Sequence, residues 1–281
     1  MSQVLSLMLS VLILLSGASG CAPQAEETPP AETSSADPLP PGAGLPDSEF
    51  IADEPPQPVP AEAAPKETAP RLVVLDPGHQ ARPNTGTEPL GPGSPETKMK
   101  VSGGTCGVVS GVAEYELDLT VSLLLRDELE ARGYRVLLTR ESNDVDLSNR
   151  ERAELANSAG ADIFLRIHAD GAEDPAVSGA SALCPTAGSP YPIGALYPQC
   201  RLLADCVLDG LTAAAGAKRL RVWETDTMSG LNWSRVPAAL VEMGYMTNPD
   251  EDVRLNDPAY QALLVRGIAD GVEQYFARLD E

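Results

Sequence analysis

Aromatic residues are scarce in this 281-residue chain, at 4% of the total. A module that grips sugars by ring stacking needs more, so a carbohydrate-linked substrate is expected to be held by polar groups and loops. Basic residues are also few: 20 Lys and Arg face 41 Asp and Glu, a formal net charge of −21. That balance repels polyanions and argues against nucleic acid and anionic membrane surfaces as partners. No internal repeat is evident, and no apolar run reaches the roughly 20 residues of a membrane span. Histidine is as scarce as tryptophan, with two of each in the chain. The hydrophobic fraction of 43% is ample for a globular core.

The N-terminal quarter reads as targeting and tether. An apolar run from Val4 to Leu15 is followed by Ser16-Gly17-Ala18-Ser19-Gly20 and then Cys21. An apolar core before small residues is the order of a secretory signal peptide, assigned here to residues 1–20. Ala18-Ser19-Gly20-Cys21 resembles a bacterial lipobox, which makes Cys21 the expected lipid anchor, with plain secretion as the alternative. The resemblance departs from the usual pattern in having Ala at position 18 rather than Leu and no Lys or Arg before the run. Residues 21–70 are expected to be a disordered linker, since Ala22 to Pro70 holds 13 prolines, 10 acidic residues and one lysine. Such sequence buries too little apolar surface to offset the entropy of ordering, and it stays extended as a spacer.

Residues 71–281 alternate strand-like and helix-like segments. This predicts an α/β fold, a single domain with a mostly parallel twisted sheet flanked by helices. Strands are expected at Leu72–Leu75, Tyr134–Thr139, Ile163–Ile167, Gly179–Cys184 and Ala238–Val241. A helix carries Leu117, Val121, Leu124, Leu125 and Leu129 at helical spacing and ends at Gly133; others span Leu147–Ala159 and Tyr197–Ala215. Asn248, Pro249 and Glu251 read as cap, first-turn proline and capping-box acid of a short helix, and Asp257-Pro258 opens the last one. Gln80 to Gly111 is rich in Gly, Pro, Ser and Thr without periodicity, so a long loop bordering the active site is expected there.

Both histidines, His79 and His168, close strand-like apolar runs, and in open parallel sheets ligands bind beyond the carboxyl ends of the strands. Two imidazoles and a carboxylate are a recurring ligand set for catalytic zinc. A further carboxylate is then needed to take the proton of the attacking water, and Glu242 at its own strand end could reach the same edge. No local H-x-x-H or H-E-x-x-H spacing supports a metal, so position alone leaves open two hydrogen-bonded structural histidines. Cys106, Cys184, Cys200 and Cys206 lack metal spacing with a histidine and are expected as structural or free thiols.

Several separated stretches resemble the zinc-dependent N-acetylmuramoyl-L-alanine amidases often called amidase type 3. They are Leu75-Asp76-Pro77-Gly78-His79, Glu114 opening a helix that ends in Glu130-Ala131-Arg132-Gly133, Arg140 to Ala161, Ile167-His168-Ala169-Asp170, Ser178-Gly179-Ala180 and Val241 to Asn248. The resemblance covers Arg71 to Phe276 in order. It implies Zn2+ held by His79, Glu114 and His168, and catalysis by Glu242. Counting back from Gly133 favours Glu114 over Glu116, whose place in the first helical turn suits the helix dipole. The implied reaction is hydrolysis of the amide between the lactyl group of N-acetylmuramic acid and the stem-peptide L-alanine, with Glu242 as general base and then acid. Asp76 or Asp170 would support the ligands from behind.

Many members carry a Leu-Arg pair ahead of the last strand, where this chain has Asn232-Trp233. Trp223, Trp233 and Tyr245 are candidates to line a substrate groove or to pack in the core. Peptidoglycan is the implied partner of an exported, monomeric enzyme, lipid-anchored at the outer face of the cytoplasmic membrane or secreted to the wall. The competing readings are a zinc peptidase or carboxypeptidase acting on wall peptides, and a wall-binding protein without activity.

Overall fold

The structure, a computed structural model, describes residues 69–281. The signal segment, Cys21 and all but the last two residues of the expected linker lie outside the described residues. Six strands form one sheet: β1 (Leu72–Pro77), β4 (Arg135–Leu138), β5 (Ile163–Asp170), β6 (Ala180–Cys184), β7 (Arg219–Glu224) and β8 (Ala238–Tyr245). Their spatial order is β4-β1-β5-β8-β6-β7. The first four run parallel, β6 lies antiparallel to β8, and β7 runs parallel to β6. The α/β reading with a mostly parallel sheet therefore stands.

Hydrophobic runs build this sheet. Leu72 to Leu75 and Ile163 to Leu165 are buried on both faces, as strands covered on both sides require. One layer holds α1 (Glu114–Ala131), α3 (Tyr197–Ala215) and α6 (Pro258–Leu279); the other holds α2 (Asn149–Ala159) and the short α4 (Ser229–Asn232). The main core lies between the sheet and the first layer, with Leu117, Val121, Leu125 and Leu129 of α1 buried, while Leu124 of the expected stripe is exposed. Ser148 caps α2 in a reciprocal box with Glu151, and Gly160 closes it in the left-handed conformation.

Three local expectations are corrected. The stretch from Gln80 to Gly111 is not structureless: β2 (Asn84–Pro89) and β3 (Thr97–Val101) pair as an antiparallel hairpin. Its strands, Asn-Thr-Gly-Thr-Glu-Pro and Thr-Lys-Met-Lys-Val, are largely exposed, so no apolar alternation marks them. Long-range polar contacts hold the hairpin instead. Trp233 Nε1 donates to the Pro89 carbonyl at 2.9 Å, Asn232 Nδ2 to the Leu90 carbonyl at 3.0 Å, and the Arg150 amide to Glu88 at 3.0 Å. β7 was likewise unexpected, because Arg219, Arg221 and Trp223 alternate on it as exposed residues of an edge strand. Finally, Asn248 caps α5 (Pro249–Leu255) as expected, but Glu251 does not complete a capping box. Its carboxylate accepts from the Gly179 and Tyr245 amides, at 2.9 and 2.8 Å, and ties the end of β8 to the start of β6.

Candidate metal centre

The chain reverses its winding between β1 and β5: β1 leads through α1 to β4 on one side, whereas β5 neighbours β8 on the other. A crevice opens at such a switch point beyond the carboxyl ends of the strands. His79 follows β1 directly, and His168 lies near the end of β5, in register with Glu242 of β8. Glu114 is the first residue of α1, with its side chain over the same edge. One metal-ligating atom each from His79, Glu114 and His168 lies within 4.8 Å of the other two.

The turn carrying His79 is strained and firmly held. His79 adopts φ 54°, the sole positive φ at a non-glycine residue among those described, a conformation that costs about 1–3 kcal/mol. Two buried guanidinium groups grip the turn's carbonyls. Arg140 donates to Pro77 at 3.0 Å and Gly78 at 2.6 Å; Arg152 donates to Pro77 at 2.7 Å and His79 at 2.8 Å. Asp76 sits behind them, fully buried, and accepts from Arg152 at 2.9 Å, Arg166 at 2.7 Å and the Thr139 hydroxyl. Asp76 thus supports His79 through Arg152 and does not contact the imidazole. Sequence reasoning missed both arginines. The available signal was faint: Arg152 shares the buried face of α2 with Ala153 and Ala156.

The loop after the hairpin orients two of the three donor groups. His79 Nδ1 donates to the Ser102 carbonyl at 2.9 Å, which leaves the Nε2 lone pair facing Glu114 Oε1 at 2.9 Å. His168 Nδ1 lies 3.1 Å from the same oxygen. The other oxygen of Glu114 accepts from the Thr105 amide at 2.7 Å, so Oε1 is the atom turned to the imidazoles. Gly104 lets this loop pass closely: its φ is 76°, and a Cβ there would lie 2.8 Å from Glu114 Oε2. The loop is itself tied down by Asp252, whose buried carboxylate accepts from the Val109 and Ser110 amides, each at 2.7 Å. Glu116, the rival carboxylate, points outward and caps the helix through the Ala113 amide at 3.3 Å.

The electrostatics suit a cation. Burial would raise the proton affinity of Glu114, but the close approach of the His168 and His79 imidazoles overrides it and holds the carboxyl well below the usual range. Burial pushes His168 down to about 4 against the pull of Glu114, so its imidazole is neutral at neutral pH, as a metal ligand must be. Glu242 is raised well above its ordinary value, first by burial and then by the charges of Asp170 and Glu114. Its Oε2 and His168 Nε2 are buried with no hydrogen-bond partner, an unmet demand that a bound cation or substrate could satisfy. The fully buried Asp118 has two further unpartnered oxygens and is raised by burial, Glu114 and Glu242. A donor set of two nitrogens and one carboxylate oxygen fits zinc and leaves room for a further ligand.

His79, Glu114, His168 and Glu242 line one open cavity of about 590 Å³. Lys98 and Met99 of the hairpin form one wall, and Arg166 and Met228 contribute others. Asp170 borders the same cavity and accepts from the Gly171 amide at 2.7 Å. Asn232 and Trp233 do not line it; they anchor the hairpin. Cys106, Cys184, Cys200 and Cys206 are all free thiols.

Comparison with known proteins points one way. A family model described as N-acetylmuramoyl-L-alanine amidase matches residues 73–274. The chain is 28% identical over 167 residues to N-acetylmuramoyl-L-alanine amidase LytC of Bacillus subtilis, covering 59% of this chain and 32% of that protein. It is thus similar to about a third of that relative's length. It is 27% identical to N-acetylmuramoyl-L-alanine amidase AmiA of Escherichia coli, over 75% of this chain and 78% of the relative. Among solved structures, that of the apo form of the N-acetylmuramyl-L-alanine amidase Ami1 from Mycobacterium abscessus superposes with a TM-score of 0.67 at 28% identity. That match covers 74% of this chain and all of the other.

Proposed function

This chain belongs to the N-acetylmuramoyl-L-alanine amidase family, and from that membership we propose that it is a peptidoglycan hydrolase cutting the amide between the muramic acid lactyl group and the stem-peptide L-alanine. The observation that carries the reading is the convergence of His79, Glu114 and His168 at the switch point, with Glu242 in the same cavity. These three residues would hold a zinc ion through His79 Nε2, Glu114 Oε1 and His168 Nδ1. Zinc in such a site supplies a Lewis acid that polarises the scissile carbonyl and makes water a stronger acid.

The remaining steps fall to the chain's own groups. Glu242 takes a proton from the attacking water and returns it to the departing L-alanine amine. Its raised proton affinity suits that exchange, because a more basic carboxylate takes the water's proton more readily and keeps it until the amine departs. Arg140 and Arg152 fix the strained turn that aims His79, and the Ser102 carbonyl and Thr105 amide fix the imidazole and carboxylate. Export would bring the enzyme to its substrate, with residues 1–20 as signal peptide, Cys21 as lipid anchor and residues 21–70 as spacer.

Muropeptide analysis tests the reading. Purified peptidoglycan treated with the zinc-loaded chain should yield glycan stripped of peptide and peptides with a new L-alanine amine. Stem peptides shortened at the far end, with the lactyl amide intact, would replace the amidase with a peptidase.

A further inference from the structure

A second cavity, of about 570 Å³, adjoins the first and shares Asp170, Met228 and Glu242 with it. Register explains the continuity. Glu242 of β8 pairs with Ser181 of β6, Leu240 with Leu183, and Leu183 in turn with Trp223 of β7. Side chains two apart on a strand share a face, so Glu242, Ser181, Leu183, Trp223 and Arg221 lie along one side of the sheet. α4 contacts β8 on this face, whereas among the described residues the helix packed on β6 and β7 is α3, of the opposite layer, and a groove runs from Glu242 to the sheet's edge.

Two residues at the far end stand out. Trp223 is 54% exposed, although a buried indole would contribute more to stability. The Arg221 guanidinium lies over its ring, 4.6 Å from the centroid. Arg221 makes no ion pair or hydrogen bond among the described residues, whereas neighbouring Arg219 is paired with Asp205 and Asp209. What sets Arg221 apart is its place: it lines the groove that leads from Glu242 and lies against an exposed indole. The indole braces the guanidinium there, with its donors unclaimed by other side chains among the described residues.

We propose that Arg221, braced on Trp223, is a specificity-determining residue that binds a free carboxylate of the stem peptide beyond the cleaved bond. The inference rests on the amidase reading and names the part of its substrate that this groove takes. β7 lies two inter-strand spacings from β8, about 10 Å. An extended peptide covers that distance in about three residues, so the carboxylates on the second and third stem residues come within reach. The glycan fits less well: it is uncharged near the bond, and the guanidinium covers the ring face on which a sugar would stack.

The test is steady-state kinetics of the zinc-loaded full chain on muramoyl tripeptides with these carboxylates either free or converted to carboxamides. The wild type should favour the free acids by about fivefold in kcat/KM, carried by KM, as expected for a half-exposed ion pair. Arg221→Gln should abolish the preference, and Arg221→Lys should restore part of it. Equal rates on acid and amide in the wild type, or an undiminished preference in Arg221→Gln, overturns the subsite while leaving the amidase reading intact. If the wild type cuts the lactyl amide of neither substrate, the amidase reading fails and the subsite fails with it.

Discussion

Replacing Asp76 with asparagine is the sharpest structural test of how the site is held. Asp76 is fully buried and is the one carboxylate paired with both Arg152 and Arg166, themselves 0% and 3% exposed. The substitution keeps the volume but strands two buried guanidinium groups. Removing one partner of a buried ion pair costs about 3–5 kcal/mol, a large fraction of the roughly 5–15 kcal/mol that holds a domain together. With a urea slope of about 2–3 kcal/mol per molar, the midpoint should fall by about 1–2 M with the slope unchanged. The measurement is urea unfolding of metal-depleted wild type and Asp76→Asn. Burial alone would raise Asp76's proton affinity, but Arg152 and Arg166 override it and hold the carboxyl well below the usual range. Its contribution is therefore complete above the unfolded value of about 3.9 and is lost as pH falls below it. The gap between the two proteins should be constant near neutrality and narrow below about pH 4. A midpoint unchanged at pH 7 would refute the claim that these pairs hold the turn.

Other perturbations separate the roles at the site. Glu242→Gln should lower kcat by about 10²–10⁴ while leaving zinc content unchanged, checked by product release and elemental analysis. Asp170→Asn should move the acid limb of kcat/KM to lower pH, because Asp170 is one of the charges that raise Glu242; an unmoved limb would show that the two carboxylates do not communicate. Gly78→Ala would place a methyl group against the His168 ring and Asp118 Oδ2, and zinc competition titration should show affinity reduced by about 10–100-fold.

Much of this was legible in the sequence because burial leaves a periodic signature. The runs at Leu72 and Ile163, the α1 stripe and the cap at Asn248 declare their elements locally, whereas the Ser148 cap starts α2 two residues later than expected. The site residues stood at strand ends and a helix start, where topology brings distant positions together. What was not legible rests on long-range polar contacts. The hairpin is held by Trp233, Asn232 and Glu88 rather than by its own apolar face. Glu251 has the spacing of a capping-box acid but bonds the Gly179 amide, 72 residues away. Arg152 would be taken for a solvent-facing residue, and only the fold reveals its buried acceptors, Asp76, Pro77 and Gln80, and its bond to the His79 carbonyl.

The central claim is that His79, Glu114 and His168 form one metal centre. Elemental analysis of the purified chain and its His79→Ala variant tests it most directly. The geometry predicts about one zinc per wild-type chain and a sharp fall in the variant. Undiminished zinc in His79→Ala would contradict it.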